Sequence, residues 1–343
     1  MPRDLAELKS ETRAAGLIYV NPDDPGLTRR RRGEAFVYED AEGAPVTDEA
    51  NLTRIRSLVI PPAWTEVWIC KSPRGHIQAT GRDQRGRRQY RYHDRWRAHR
   101  DVAKFERVAA FGRALPRLRK QVEADLRRKG LPRDKVLAAV VRLLEITLIR
   151  VGNDEYARTN KSFGLTTLRN RHARIGSRAV TFAFRGKGGK QHETRFADRR
   201  LARVVKSCQD LPGQRLFQYV DEDGERHAVE SADVNAYLRA ATGLEVSAKD
   251  FRTWAATVSA ARALADHGGC GSKTEAKRNL NQCVKAVAGL LGNTPAVCRK
   301  AYIHPLVLEA YEAGDLPMKP SSSPRAFELA VIRFLERAAQ TRP

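Results

Sequence analysis

The most reactive candidate in the sequence is a tyrosine in a short basic segment. Tyr302 directly follows Arg299-Lys300-Ala301 and lies nine residues after Asn293, which itself follows a glycine. A tyrosine hydroxyl can form a covalent intermediate by attacking an electrophilic centre such as a phosphodiester. We therefore hypothesise that Tyr302 attacks a phosphodiester and that basic residues upstream hold the phosphate. The alternative is a half-buried packing residue with its hydroxyl in water.

Four upstream positions carry basic or amide side chains in distinctive local sequences. They are Arg150 at the end of an apolar helix, Lys187 in the glycine-rich Arg185-Gly-Lys187-Gly-Gly-Lys190, Arg252 in Lys249-Asp-Phe-Arg252, and Asn293 in Gly292-Asn293-Thr-Pro. Cationic and amide groups of this kind are typical of phosphate-binding sites. Their order along the chain, with the tyrosine last, is the strongest functional signal in the sequence.

Each of these positions also has an ordinary structural explanation when it is considered alone. Arg150 can satisfy the C-terminal dipole of its helix. Lys187 can be a solvated turn residue, and Lys190 competes with it on the same loop. Arg252 can pair with Asp250 or with another acid.

Strand patterns dominate residues 34–94 and change to a helical pattern near residue 101. Residues 88–93 alternate polar and aromatic side chains, which predicts an edge strand. From about 101 to 128, apolar residues recur at spacings of three and four, which predicts one long amphipathic helix. Asp134 can cap a second helix over 135–150. We place a domain boundary near residue 100, where the pattern changes.

The second half of the sequence predicts a few strands followed by many helices. Three strands are predicted at 165–168, 179–184 and 192–195, and the turn that contains Lys187 joins the last two. From residue 197 onward the pattern is mostly helical, and a short helix is expected to carry Tyr302. Ser321-Ser-Ser-Pro324 predicts a linker before an amphipathic helix at about 324–339.

The composition favours a polyanionic partner. The 343 residues include 63 Lys and Arg against 40 Asp and Glu, which gives a formal net charge of +23 and a pI near 10.3. Such a charge favours nucleic acid or an anionic membrane. No apolar run is long enough to span a bilayer, and the N-terminal sequence lacks a signal-peptide core, so nucleic acid is the stronger expectation. The five cysteines have no zinc-site spacing and predict reduced thiols in a cytoplasmic protein.

Basic residues are concentrated in two stretches of the N-terminal region. Residues 82–107 hold ten Arg and Lys against four acids, interleaved with Tyr90, Tyr92 and Trp96. Basic residues with interspersed aromatics favour a DNA-facing surface, and a charged solvent face is the alternative. The run Arg29–Arg32 predicts a solvated loop, with phosphate contact as the alternative.

In these motifs the sequence resembles the type IB DNA topoisomerases, particularly their compact poxvirus-like bacterial branch, and more distantly the tyrosine recombinases. The family uses an Arg, a hairpin Lys in Phe-x-Gly-Lys, an Arg in Lys/His-x-x-Arg, a His or Asn, and a Tyr, in that chain order. By motif match these places fall to Arg150, Lys187, Arg252, Asn293 and Tyr302. The resemblance covers about residues 16–314.

The resemblance implies a role for each of these five residues. Attack by Tyr302 gives a pentacoordinate transition state with extra negative charge, which Arg150 and Arg252 stabilise. Asn293 donates one more hydrogen bond, and Lys187 protonates the leaving 5′-oxygen. Tyr302 becomes a 3′-phosphotyrosyl ester that keeps the bond energy for religation. No ATP, metal or cofactor is therefore expected.

Two positions bear on the subgroup. Many relatives have His where Asn293 stands, and an amide can donate a hydrogen bond but cannot carry charge. Lys249, rather than His, in the motif that ends at Arg252 favours a topoisomerase over a recombinase.

The resemblance and the basic surface also suggest residues that contact DNA. These are Tyr156, Lys249, Gln78, Tyr90, Arg88 and Lys190.

The implied fold is α+β, the fold of DNA breaking-rejoining enzymes. We expect a β-rich DNA-clamping domain at 1–100, a mainly helical catalytic domain with a small three-stranded sheet at 101–315, and a linker with a C-terminal amphipathic helix at 316–343. The expected partner is duplex DNA, enclosed by a monomeric clamp, with no membrane association. The expected location is the cytoplasm, at the nucleoid.

Two other functions remain open at this point. A tyrosine recombinase would use the same chemistry in multimers that exchange strands, with the last helix as a swapped element. A non-enzymatic basic DNA- or RNA-binding protein would bind tightly and form no covalent adduct.

Overall fold

A five-stranded antiparallel sheet is the framework of the first of two compact units, which divide between Lys104 and Phe105. The structure, a computed structural model, describes residues 5–176 and 178–340. The strands lie in the order β2-β1-β3-β4-β5, and two helices accompany them. The elements are α1 (Leu5–Ala14), β1 (Leu27–Arg32), β2 (Ala35–Glu39), α2 (Glu49–Ser57), β3 (Thr65–Ile69), β4 (Ile77–Arg82) and β5 (Arg88–Tyr92).

The first unit confirms one prediction of local structure and corrects another. β5 is an edge strand, as the alternation of polar and aromatic residues predicted. The arginine run, however, lies on β1 and is not a loop. Arg29 donates hydrogen bonds to the carbonyls of Pro61 (2.9 Å) and Trp64 (2.8 Å) and stacks on the ring of Phe36 at 4.2 Å. Arg29 therefore stabilises the unit, because its guanidinium satisfies loop carbonyls.

The aromatic residues of the basic stretch 82–107 divide into two environments. Tyr90 and Tyr92 are exposed and stack on each other, with ring centres 5.8 Å apart. Trp96 is only 5% exposed and packs in a small cluster with Ala15 and Leu17. The prediction of a DNA-facing role is therefore wrong for Trp96, whose large apolar ring is buried within the unit.

The second unit consists mainly of helices around one large hydrophobic core. Its helices are α3 (Asp94–Asp125), α4 (Arg133–Thr147), α5 (Asp154–Asn160), α6 (Arg199–Gln209), α7 (Ser231–Thr242), α8 (Ala248–His267), α9 (Lys273–Leu291), α10 (Pro295–Ala301), α11 (Pro305–Ala313) and α12 (Pro324–Gln340). The first turns of α3 belong to the first unit. The helix begins at Asp94, earlier than the predicted residue 101, because these turns are too polar to show a helical period. Among residues 5–176 and 178–340, no helix has the length and apolar composition needed to cross a membrane.

Helix α4 lies at the centre of this core. Val136 through Val141 are buried in succession, with Leu143 and Leu144 after them. A helix that is apolar on all sides must be enclosed by other elements. α6, α7 and α8 pack against α4, so the end of α4, where Arg150 follows, has a fixed position in the unit.

Two small antiparallel sheets complete the second unit. One consists of β6 (Ala173–Ile175), β7 (Val180–Arg185) and β8 (Gln191–Phe196), in that order, and the other of β9 (Gln218–Val220) and β10 (Arg226–Ala228). The three-stranded sheet was expected, but the strand predicted at 165–168 is wrong. Leu165–Thr167 forms a 3₁₀ turn, because the Thr167 hydroxyl accepts a hydrogen bond from the amide of Gly164 (2.9 Å). Such local side-chain bonds compete with strand pairing.

The C-terminal helix α12 is part of the core of the second unit. Phe327 is 1% exposed and lies 4.3 Å from the guanidinium of Arg262, whose Nη1 also donates to the carbonyl of Ser321 (2.8 Å). Arg119 on α3 forms a two-pronged ion pair with Glu328, with both N–O distances at 2.8 Å. The amphipathic pattern of this segment therefore has a packing partner within the same unit.

These contacts predict the stability of variants in α12. Phe327→Ala should lower the free energy of unfolding of the second unit by about 3–4 kcal/mol, because it removes a fully buried ring. Urea denaturation monitored by circular dichroism gives this value. Leu329→Ala is the matched control, because Leu329 is 42% exposed on the same helix, and it should change the value by less than about 0.5 kcal/mol. Equal effects of the two changes would contradict the packing of α12.

Candidate active site

Tyr302 lies in a junction of three residues between α10 and α11. Both helices begin with a proline at the first position, which is favourable because that position needs no amide donor. Thr294 and His304 precede these prolines and accept hydrogen bonds from amides in the first turns, both at 3.3 Å. α10 therefore ends at Ala301, and Tyr302 follows the helix on which it was predicted to lie. Its side chain is 9% exposed.

The backbone of this junction is attached to α8 through Thr257. The buried Thr257 hydroxyl oxygen accepts a hydrogen bond from the amide of His304 (3.1 Å) and lies 3.4 Å from the carbonyl oxygen of Tyr302. The hydroxyl itself lies 2.8 Å from the carbonyl oxygen of Thr253, one turn earlier on α8, and donates to it. Tyr302 is therefore held in a fixed position relative to the helix that carries Arg252.

The guanidinium of Arg252 connects three parts of the site. Arg252 is 4% exposed, and it donates hydrogen bonds to the carbonyl of Leu148 and, at 2.8 Å, to the carbonyl of Leu291. These carbonyls lie at the C-terminal ends of α4 and α9, where helix dipoles favour a cation. The central carbon of the guanidinium also lies 5.2 Å from the centre of the Tyr302 ring.

The ordinary explanation of Arg252, an ion pair with Asp250, is not what the structure contains. Asp250 accepts hydrogen bonds from the amide and the hydroxyl of Ser247, at 2.8 and 3.0 Å, and thereby caps α8. Nε of Arg252 is buried and has no hydrogen-bond partner among the described residues. Because an unpaired buried donor is costly, this N–H marks a place where a bound anion would be stabilised.

A close approach of two backbone segments fixes Arg150. It lies two residues after Leu148, which ends α4 in the left-handed conformation (φ 55°). The carbonyl of Arg150 accepts a hydrogen bond from the amide of Leu165 (2.9 Å). A Cβ on Gly164 would lie 2.5 Å from that carbonyl oxygen and 2.6 Å from Cα of Gly152, so only glycine permits this contact.

Arg150 orients the amide of Asn293. α9 ends at Leu291, and Gly292 adopts the left-handed conformation (φ 62°) that terminates many helices. Oδ1 of Asn293 accepts a hydrogen bond from Nη2 of Arg150 at 2.6 Å. Because a guanidinium only donates, this contact assigns the oxygen to Arg150 and leaves the amide nitrogen as a donor. That nitrogen is buried and unpaired among the described residues.

The turn of the β7–β8 hairpin faces a cavity of about 260 Å³. Residues 187–189 form the turn, as the glycine-rich sequence predicted. The cationic side chains that line the cavity are Arg150, Lys187, Lys190 and Arg252. The ammonium group of Lys190 lies 3.5 Å from the carbonyl oxygen of Gly292. Lys187 is exposed, and its ammonium group has no protein partner within the described residues, so it is the better placed of the two lysines to act on a ligand.

Electrostatics favour ionisation of Tyr302. Burial alone raises the pKa of its hydroxyl. The charge and hydrogen bonding of Arg252 lower this pKa, and the charges of Arg150 and Lys249 lower it further. The net result is a Tyr302 pKa below the ordinary value of 10. A lower pKa increases the fraction of phenolate, which is the nucleophilic form.

Most of the residues predicted to contact DNA are exposed. Tyr156 is 43% exposed and Tyr90 is 42% exposed, and the guanidinium of Arg88 lies 5.9 Å from the centre of the Tyr90 ring. Lys249 and Lys190 are also exposed. Tyr156, Lys249 and Lys190 belong to the unit that contains Tyr302, and Arg88 and Tyr90 belong to the other unit. Their contact with DNA stays a prediction.

Gln78 differs from these residues because its side chain is buried, and its contact with DNA also stays a prediction. It is 3% exposed. Its amide nitrogen donates to the carbonyl of Gly75 (2.7 Å), and its Oε1 accepts a hydrogen bond from Arg54 (3.0 Å). The side chain therefore stabilises the loop between β3 and β4, because buried amide groups require such partners.

One residue of this cavity, His192, was assigned only to a strand by the sequence analysis. The imidazole lies in the cavity with Arg150 and Arg252. Burial lowers the pKa of His192, and the charges of Arg150, Arg252 and Lys190 lower it further, so the ring is neutral near pH 7. Nothing in the local sequence distinguishes this histidine from an ordinary strand residue.

Two family models and several known proteins are similar to this chain. The family model of the eukaryotic DNA topoisomerase I catalytic core matches residues 93–317, and that of the bacterial DNA topoisomerase IB N-terminal domain matches residues 35–83. DNA topoisomerase 1B of Acanthamoeba polyphaga mimivirus is 32% identical over 84% of this chain and 88% of its own length. DNA topoisomerase 1 of rabbit fibroma virus (strain Kasza) is 25% identical over 80% and 86%. DNA topoisomerase 1B of vaccinia virus (strain Copenhagen) is 22% identical over 67% and 70%.

The site gathers Arg150, Arg252 and Lys249 around a buried phenol, and this concentration of positive charge suits a polyanionic substrate. The chain belongs to the type IB DNA topoisomerase family. It is therefore a DNA topoisomerase, an isomerase, and the comparisons favour neither a recombinase nor a non-enzymatic binding protein.

The lowered pKa of Tyr302 predicts the pH dependence of DNA cleavage. The rate should rise with pH as the phenolate forms and should level off below pH 10, because the Tyr302 pKa lies below its ordinary value. Lys249→Ala removes one of the cations and should move the midpoint upward by about half a pH unit. Single-turnover cleavage at saturating DNA measures both profiles. Lys273→Ala, a change at an exposed lysine on α9, is the control. A Lys249→Ala profile that moves to lower pH would contradict the electrostatics.

Proposed function

We propose that this topoisomerase relaxes supercoiled DNA of either sign by nicking one strand through Tyr302, allowing strand rotation and resealing the nick. The observation that carries the proposal is the contact between Arg252 and Tyr302, with Arg150 and Asn293 held at the ends of the two helices that Arg252 joins. The proposal requires that these three cationic or amide groups and the phenol of Tyr302 meet at a single phosphate.

The proposed cleavage step is an in-line displacement at phosphorus. Tyr302 loses its hydroxyl proton to solvent, and the phenolate oxygen forms a bond to phosphorus as the bond to the 5′-oxygen breaks. The product is a 3′-phosphotyrosyl ester. Lys187 gives a proton to the leaving 5′-oxygen, which is strongly basic as an alkoxide. Resealing is the reverse reaction, in which the 5′-hydroxyl attacks the ester and Tyr302 leaves. No ATP is needed, because the ester keeps the energy of the broken bond.

The charge that develops in the transition state falls on the non-bridging oxygens. Arg150 and Arg252 bring fixed cationic donors to these oxygens. Asn293 adds a neutral donor, its amide nitrogen, which Arg150 orients. Removing one donor of this kind typically costs about 10²–10³-fold in rate. Because the donors are side chains, we expect the reaction to proceed without a metal ion.

The proposal extends to the way in which DNA is held. We propose that both units contact duplex DNA as a monomeric clamp, with Arg88 and Tyr90 on the first unit and Tyr156, Lys190 and Lys249 on the second. The guanidinium of Arg88 lies 5.9 Å from the centre of the Tyr90 ring. All five side chains are exposed, which suits contacts to the DNA backbone. Binding should weaken steeply with salt, because phosphate contacts release counterions. We further propose that the enzyme acts at the nucleoid in the cytoplasm.

The nucleophile can be tested by plasmid relaxation in EDTA. Wild-type protein should relax positively and negatively supercoiled plasmid, and Tyr302→Phe should lower the rate to background because the attacking oxygen is absent. Tyr219→Phe is the control, because Tyr219 stacks on His227 in the β9–β10 hairpin, away from the proposed site. Tyr302→Phe should also bind DNA as tightly as the wild type.

The outcomes of this experiment separate the candidate functions. Relaxation that survives Tyr302→Phe would remove Tyr302 as the nucleophile, and wild-type relaxation that requires a metal would contradict the proposed chemistry. Relaxation that requires a specific site and a multimer would favour a recombinase. Tight binding by the wild type with no covalent adduct would favour a binding protein.

A further inference from the structure

We infer that His192 is a positioning residue that holds the Lys187 hairpin against the end of α9, so that the proton donor meets the phosphate site. This inference rests on the proposed function. The proposed site has two parts that come from different elements. Arg150, Arg252 and Asn293 are tied to helix ends by hydrogen bonds, and Lys187 stands on a hairpin turn.

The imidazole of His192 lies between two glycines, one from each of these elements. A Cβ on Gly186, the residue before Lys187, would lie 2.4 Å from Cδ2 and 2.6 Å from Nε2 of the ring. A Cβ on Gly292, the residue before Asn293, would lie 3.1 Å from Cε1. The ring therefore rests directly on two backbones, each of which is adjacent to a proposed catalytic side chain.

The plane of the ring is fixed by a third contact. His192 stacks on Phe184 of β7, with ring centres 5.4 Å apart and an angle of 12° between the planes. Phe184 is buried in the core of the second unit. The imidazole is therefore supported from the core on one side and transmits that support to the hairpin turn and to the end of α9.

The electrical state of His192 agrees with a packing role. Its ring is neutral near pH 7, because burial and the neighbouring cations lower the pKa of the imidazole. A charged ring here would repel Arg150 and Arg252. Neither ring nitrogen has a hydrogen-bond partner within the described residues, so contacts of the ring with carbon atoms, rather than a polar network, hold it in place.

The consequence is a specific effect on proton donation. Without the ring, the hairpin keeps only the long contact of the Lys190 ammonium group with the carbonyl of Gly292 (3.5 Å), and Lys187 is held less firmly near the leaving oxygen. A displacement of about 1 Å in a catalytic group can cost on the order of 100-fold in rate. Arg150 and Asn293 keep their hydrogen bond, so stabilisation of the non-bridging oxygens should remain.

A substrate with sulfur in place of the bridging 5′-oxygen distinguishes these effects. When Tyr302 attacks phosphorus in this substrate, the P–S bond breaks and a thiolate leaves, which needs no proton because thiols are far more acidic than alcohols. Defects in proton donation should therefore disappear with the sulfur substrate. Defects in binding the non-bridging oxygens should persist with both substrates.

We expect His192→Ala to cleave the oxygen substrate about 10–100-fold more slowly than wild type and the sulfur substrate within about threefold. Lys187→Ala should show the same pattern, and Asn293→Ala should be slow with both substrates. His192→Phe, which keeps a planar ring between the two glycines, should recover most of the rate lost in His192→Ala. His227→Ala, a change at a histidine in the β9–β10 hairpin, is the control. Urea denaturation of each variant verifies folding.

Three results would overturn the inference. His192→Ala could cleave both substrates at the wild-type rate, or it could be equally slow with both. His192→Phe could be as slow as His192→Ala on the oxygen substrate, which would mean that the ring nitrogens act directly. A wild-type protein that forms no adduct with either substrate would instead contradict the proposed function.

Discussion

The structure of the site depends on one buried guanidinium. Arg252 donates to the carbonyls at the ends of α4 and α9, and its central carbon lies 5.2 Å from the centre of the Tyr302 ring. Arg150 follows the first of these ends by two residues, and Asn293 follows the second by two residues. Burying a charge is costly unless its hydrogen bonds are satisfied, and helix ends supply carbonyls with no partner of their own. One side chain therefore satisfies carbonyls at two helix ends, and Arg150, Asn293 and Tyr302 lie close to these contacts.

In the proposed mechanism, this arrangement also explains how an amide serves at the position where the family resemblance implies a His or an Asn. A free carboxamide can present either its oxygen or its nitrogen to a phosphate. Arg150 removes this ambiguity, because it bonds only to the oxygen, at 2.6 Å. The nitrogen is then a fixed donor, which needs little reorganisation when charge develops on a phosphate oxygen. The charge of the same guanidinium also helps to lower the pKa of Tyr302. Arg150 therefore affects both the orientation of the Asn293 amide and the ionisation of Tyr302.

The sequence predicts the residue types of the site, and the fold decides how they are supported. The glycine-rich turn at Lys187 and the helix that carries Arg252 follow from local patterns, as does the edge strand at Arg88. The carbonyl partners of Arg252 come from segments about 100 and 40 residues away, and no local pattern indicates them. The burial of Gln78 and Trp96 depends on tertiary packing in the same way. The sequence does not single out His192, because its ring contacts the backbones of two glycines, Gly186 and Gly292, that are distant from each other in the chain.

The most direct test of the role of Arg252 is a parallel measurement of stability and cleavage in Arg252→Lys. A lysine keeps the charge but lacks the planar fork with which a guanidinium bonds to two carbonyls and lies against the Tyr302 ring. The free energy of unfolding of the second unit, from urea denaturation, should fall by about 1–3 kcal/mol because a buried carbonyl loses its donor. The single-turnover cleavage rate should fall by about 100-fold or more. A variant that loses activity with unchanged stability, or stability with unchanged activity, would contradict the claim that one guanidinium holds the site together.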